Sequence, residues 1–252
     1  MRLAGQTTLV TGASRNTGRA IALRFAAEGA NVILGAQTSR DALESVAAEC
    51  QEFGVQALPM LGDVANPDDV QALVDAGMEK FGRIDSVVST VAIRPHTSIV
   101  ELSLGELHRV IEVNLYGSFH LAQSVTPHMI NQKGGSIIAI GGLTAISGTK
   151  NSSASGASKA GLLGLIRALA VELGPYGIRA NMVVPGNIAT ETEDPASHSS
   201  ADRNIQESND RSPLRRAGSP SEIAAACLFL ASEDGSYVTG EHLMCNGGRF
   251  ID

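Results

Sequence analysis

The chain has no tryptophan, and aromatics make up only 4% of its 252 residues. A surface built to stack nucleic-acid bases needs aromatic platforms among clustered Lys and Arg. Here Asp and Glu outnumber Lys and Arg, 26 to 19, for a formal net charge of −7. Nucleic acid and anionic membrane are therefore not expected partners. Cysteine is sparse as well. Cys50, Cys227 and Cys245 are odd in number, far apart and never in a C-x-x-C pair, which argues against a disulfide framework or a zinc knuckle. His96, His108, His120, His128, His198 and His242 form no H-E-x-x-H or comparable set, so no metal is expected. No apolar run reaches the roughly 18 residues that span a bilayer. The start "MRLAGQTTLVTG" lacks the charged and apolar zones of a signal peptide, and the expected location is the cytoplasm.

What is present points to one large core. At 43% hydrophobic residues the length suits a single domain over 1–252, and 27 glycines imply tight turns and close backbone approaches. Short β-branched runs alternate with longer amphipathic ones: "TTLV" then "GRAIALRFAAEG", "NVIL" then "RDALESVAAECQEFG", "QALPM" then "PDDVQALVDAGMEKFG", then "IDSVVS". Later strands read as "SIIAI", "IRANMVV" and "EHLMC". This alternation is that of βαβ units on a parallel sheet, an α/β fold. One compositional break, from about Thr190 to Ala217, is polar, acidic and then basic. A loop of that length inside a compact domain is expected to be a mobile cover over a substrate site.

The stretch "LVTGASRNTGRAIALRFA" places Gly12 and Gly18 directly after the first strand and at the start of a helix. In that context a glycine-rich turn lets phosphates approach backbone N–H groups and a helix N-terminus. Asn16 stands where a third glycine is usual, and Asn is a non-glycine residue well able to adopt the left-handed conformation.

With these motifs the chain resembles the short-chain dehydrogenase/reductases over nearly its whole length. The matching segments are "TGASRNTG", "GDV", "EVNLYGSF", "SKAGLLGLIRALAVELGPYGIRAN", "PGNIAT" and the C-terminal quarter from "SPLRRAG" to "MCNGG". The resemblance implies a Rossmann-like, doubly wound sheet of seven parallel strands with helices on both faces. It also implies NAD(P)(H) bound across the carboxyl edge, a small-molecule substrate and a homo-oligomer, either tetramer or dimer. Carried over by position, Gly12, Ser14, Arg15, Asn16, Thr17 and Gly18 would hold the pyrophosphate. Gln37, Asp63 and Val64 would flank the adenosine, and Pro185, Gly186, Ile188 and Thr190 would form a strap over the nicotinamide. The second strand ends on Ala36 where an NAD-type enzyme would have a carboxylate, and Gln37, Thr38, Ser39 and Arg40 follow. With Arg15 also in the glycine turn, two guanidinium groups, Arg15 foremost and Arg40, could reach a 2′-phosphate, and NADP(H) is favoured over NAD(H).

The chemical end departs from the pattern. The family's Tyr-x-x-x-Lys keeps its lysine as Lys159, which the resemblance assigns to the nicotinamide ribose, but the tyrosine position is Ser155. Four residues apart, the two share a helix face. A phenol titrates near about 10, whereas an aliphatic hydroxyl behaves more like water, about 15.7. Ser155 therefore cannot simply replace a tyrosine. The family's substrate-orienting serine is Gly142 here, with Thr144 the nearest hydroxyl, and its Asn-Asn-Ala-Gly segment reads Ser89, Thr90, Val91, Ala92. Asn114 remains, either as an active-site residue or as an amide that kinks its helix.

Other groups offer themselves for the proton. His96 hangs from a loop at the carboxyl edge, and a free imidazole titrates near about 6.5. Water and the hydroxyls of Thr144, Ser153 and Ser155 are further routes, while Tyr116 shares a helix with Asn114 but must point elsewhere. The expected function is an NAD(P)-dependent oxidoreductase acting on a small carbonyl, alcohol or activated enone by a non-standard proton route. "SASGASKAG" is also similar to the serine-lysine helix of dienoyl-CoA reductases in the same superfamily. The alternatives are a repurposed scaffold doing elimination, isomerisation or cyclisation, and a catalytically silent nucleotide-binding subunit.

Overall fold

Apolar residues on both sides of each strand decide the architecture. In a strand, neighbouring residues point to opposite faces, so an unbroken run such as Leu9, Val10 must be covered by helices above and below. The computed structural model, which describes residues 1–190 and 209–251, has this arrangement. The chain runs β1 (Thr7–Thr11), α1 (Asn16–Ala27), β2 (Asn31–Ala36), α2 (Arg40–Gln51), β3 (Ala57–Leu61), α3 (Pro67–Phe81) and β4 (Ser86–Ser89). It continues through α4 (Leu104–Ile111), a π-helical turn (Glu112–Tyr116), α5 (Gly117–Gln132), β5 (Gly135–Ile140), α6 (Ser153–Leu173), β6 (Ile178–Pro185), α7 (Pro220–Ala231) and β7 (His242–Cys245). Each strand falls within two residues of the run that foreshadowed it.

The seven strands form one parallel sheet in the order β3-β2-β1-β4-β5-β6-β7. Val10, Val32, Leu34 and Val88 pack against α1, α2 and α7, where Ile21, Phe25, Leu43 and Leu228 are buried. Leu9, Ile33, Val87 and Ile137 face the other layer, with Val74 of α3, Leu121 of α5 and Ile166 of α6. Pro59 is tolerated in β3 because that strand is an edge.

The order reverses between β1 and β4, and chains leaving their carboxyl ends diverge to opposite faces and open a crevice there. α6 is the one described helix long and apolar enough to cross a membrane, a possibility the absence of an unbroken apolar run did not bring out. Its Leu162, Ile166, Ala170 and Leu173 are buried in the core. Of the polar segment from about Thr190 to Ala217, residues 191–208 lie outside the described residues. The part that follows returns to the sheet edge, where Ile188 bridges Gly218.

Candidate active site at the carboxyl edge

The crevice begins with the turn after β1. Gly12 takes φ +67°, and a Cβ there would stand 2.6 Å from Thr90 Oγ1, which itself donates to Thr11 O at 2.6 Å. A Cβ on Gly18 would drive into the Gly12 carbonyl. Both positions must stay bare for α1 to begin this close to β1. Asn16 is left-handed at φ +51°, so the change from glycine leaves the turn intact.

A cavity of about 810 Å³ opens over this turn. Gly12, Ser14, Arg15, Asn16, Thr17 and Gly18 line it, as do Gln37, Asp63, Val64 and Thr190. Asp63 ties two of its walls together. Its Oδ2 accepts from Gln37 Nε2 at 2.8 Å and from Arg109 at 3.3 Å, and its Oδ1 accepts from Ala65 N at 2.9 Å. Arg109 of α4 has no counterpart in the sequence reading, because only the fold brings that helix over the end of β2. The bare cradle, the start of α1 and a cavity of ligand size fit a dinucleotide. Gly12 to Gly18 would hold the phosphates, and Gln37 and Asp63 would flank the adenosine.

Several expected contacts lie elsewhere. Pro185, Gly186 and Ile188 do not line this cavity: a Cβ on Gly186 would meet the Asn246 backbone, and Ile188 pairs with Gly218. Arg40 is also outside it. As the first residue of α2 it pairs with Glu44 one turn on, at 3.5 Å, on the exposed face.

The chemical end adjoins the cavity where the chain leaves β4. Asn114 is wholly buried, and the π-helical turn that carries it aims its amide at the β4 loop. Its Oδ1 accepts from Ile93 N at 2.8 Å, and its Nδ2 donates to Ile93 O and to Ser158 Oγ, both at 3.0 Å. One side chain thus pins the β4 loop to α6, the positioning role that sequence left open. Ser152, at the start of α6, fixes the same loop a second time through His96 Nδ1, 3.3 Å from its Oγ. His96 is otherwise exposed.

Ser155 and Lys159 lie one turn apart on α6, both buried. Lys159 Nζ donates to Ile140 O, the last carbonyl of β5, at 2.7 Å. Burial, and secondarily the positive charge of Arg94, push this amine down to about 7. Ser155 Oγ is buried without a hydrogen-bond partner among the described residues. Thr144 sits half-buried in a short turn, and its carbonyl closes on α6 at Gly156. The three tyrosines are elsewhere: Tyr116 turns out beside His120, and Tyr176 and Tyr237 are exposed.

A glycine cradle over a parallel sheet, with a buried lysine on the helix after β5, defines a dinucleotide-dependent enzyme. The chain belongs to the short-chain dehydrogenase/reductase superfamily of NAD(P)-dependent oxidoreductases. Residues 12–249 match the family model described as enoyl-(acyl carrier protein) reductase. It is 36% identical to the L-rhamnose 1-dehydrogenase (NAD(P)(+)) of Sphingomonas sp. strain SKA58, over 99% of this chain and 98% of the relative. It is 37% identical to the 3-oxoacyl-[acyl-carrier-protein] reductase of Thermotoga maritima over the full length of both. Among solved structures, NAD+-bound xylitol dehydrogenase superposes with a TM-score of 0.90 at 30% identity, covering 98% of this chain and 100% of that one.

Proposed function

We propose that this protein is an NADP(H)-preferring oxidoreductase for a small carbonyl, alcohol or activated enone, whose proton is not delivered by a tyrosine. The observation that carries this reading is the pair on α6. Ser155 is buried one turn before Lys159 with an unpartnered hydroxyl, in the place where the family has its tyrosine. The bound nucleotide would supply or accept the hydride.

The chain's own groups would handle the oxygen. Ser155 Oγ, free of other partners, can donate to a carbonyl oxygen placed beside it. A serine hydroxyl is too weak an acid to complete the transfer, but an amine held near 7 exchanges a proton readily at neutral pH. Lys159 is thereby the proton reservoir, with the Ser155 hydroxyl or a water as relay. The route is slower than one with a phenol and suits an activated substrate. The intact cradle supports this reading over a repurposed scaffold that has abandoned the nucleotide.

The preference for NADP(H) rests on the neutral end of β2 and on Arg15 in the cavity wall. Exposed Tyr116 and Phe119 near the start of α5, and Val171 on α6, support a homo-oligomer. The experiment is a fluorescence titration with NADPH and NADH. Arg15→Ala is expected to weaken NADPH by tenfold or more, about 1.4 kcal/mol, and to spare NADH. Arg40→Ala is expected to change neither by more than about twofold. Equal affinity for both nucleotides in the parent would end the NADP(H) preference, and no binding of either would end the redox reading.

A further inference from the structure

Arg94 lines the cavity from the β4 loop, and none of the described residues pairs with it. Its position is nevertheless held. The residue before it, Ile93, has both backbone polar groups taken by the Asn114 amide, at 2.8 and 3.0 Å. Two residues beyond it, His96 is tied to buried Ser152. The loop is therefore anchored on both sides of this arginine. The same Asn114 amide donates to Ser158, the neighbour of Lys159, so the anchored loop lies beside the stretch of α6 that carries the amine. Glu106, a carboxylate of the same wall, accepts from Thr97 Oγ1 at 2.6 Å and makes no ion pair with Arg94.

Two cations, Arg94 on this loop and Lys159 on α6, thus share the end of the site that holds an unpartnered buried hydroxyl, in a chain whose overall charge is −7. Left alone, this is unfavourable: each positive charge disfavours the other, and burial disfavours the amine further. An anion bound at Arg94 would reverse the sign of that interaction. A guanidinium offers a planar pair of donors that matches a carboxylate, whereas an ammonium offers only a point charge.

We propose that the substrate is an oxo acid or hydroxy acid whose carboxylate is held by Arg94, with its reacting carbon turned toward Ser155 and Lys159. This rests on the oxidoreductase reading and narrows its substrate class. Arg94 is then a specificity-determining residue, and Asn114 positions it by fixing Ile93.

The test compares 4-oxopentanoate with its methyl ester, following NADPH consumption by the full-length protein and by Arg94→Gln. In the parent the acid is expected to exceed the ester in kcat/KM by about tenfold to a hundredfold, the discrimination of a charge-assisted hydrogen-bonded pair. In Arg94→Gln that advantage is expected to fall to within about threefold. An acid and ester used equally by the parent, or an advantage that survives in Arg94→Gln, would overturn the proposal. A substantial loss of NADPH affinity in Arg94→Gln would overturn it as well, because the guanidinium would then be serving a nucleotide phosphate.

Should neither compound turn over, a calorimetric titration of the nucleotide-free protein with 4-oxopentanoate decides. Binding by the parent that is lost in Arg94→Gln supports the carboxylate site, and no binding by the parent rejects it. Failure to bind any nicotinamide nucleotide strikes the oxidoreductase reading, which this calorimetric arm does not depend on.

Discussion

The two ends of the crevice are built on opposite principles. At the nucleotide end several groups around the turn are committed: Thr90 closes on Thr11, Gly18 packs on the Gly12 carbonyl, and Asp63 joins Gln37 to Arg109. At the chemical end, among the described residues, a hydroxyl has no partner, an amine is buried, and a guanidinium rides on an anchored loop that lines the cavity. The first end is complete without ligand, apart from the surface it offers. The second carries unmet polar capacity and unfavourable charge, as expected where a substrate supplies the missing interactions.

The sharpest way to break this contrast is Gly18→Val. Its side chain would collide with backbone that has no room to shift, so a loss of about 3 kcal/mol or more is expected, along with loss of NADPH binding. Chemical denaturation and the nucleotide titration read both effects. A variant that melts and binds like the parent would mean that the cradle is not tight.

Lys159→Met tests the opposite end. The folded amine titrates at about 7 against 10.5 in the unfolded chain, so between those values the unfolded state holds more protons. Stability contributed by this site therefore rises with pH across that window, and its penalty is full below pH 7. Replacing the amine by an apolar chain of similar length should stabilise the fold at pH 6 by on the order of a few kcal/mol. The advantage should shrink toward pH 10, while turnover is lost. Urea melts of both proteins at pH 6, 8 and 10 decide it, and a pH-independent difference would contradict the buried amine.

Ser155→Ala makes the smallest change in stability. Removing a buried hydroxyl with no partner should leave the fold equal or more stable by about 1 kcal/mol, where a bonded serine would cost a similar amount. If the hydroxyl relays the proton, kcat should nevertheless fall by about 10² or more while KM for the nucleotide stays put. Unchanged kcat would assign the relay to water.

Much of this molecule is legible along the chain. The strands could be read because each is a short apolar run set between helical stretches, most of them β-branched and covered on both faces, and the cradle because glycine spacing after a strand constrains the backbone directly. Asn16 in the left-handed region follows from its residue type alone. The Ser155 and Lys159 pairing is visible too, since residues four apart on a helix share a face whatever surrounds it. What the sequence does not show is how the segment from Pro185 to Ile188 is held: Gly186 lies against Asn246 and Ile188 against Gly218, both far along the chain. Arg40 was drawn off by Glu44, a neighbour one helical turn away.

By itself, then, the sequence determined whatever depends on local backbone geometry and periodicity: the layered parallel sheet, the phosphate-sized turn and the placing of Ser155 and Lys159 on one helix face. Tertiary structure alone decided how separate segments meet. It brought Asn114 to Ile93 and Ser158, carried Arg109 to Asp63, buried Lys159 under the Ile140 carbonyl and put Arg94 in the cavity wall. The physical reason is that hydrogen bonds and charge interactions act through a few ångströms of space, and residues tens of positions apart come that close only when the sheet has fixed where each loop must end.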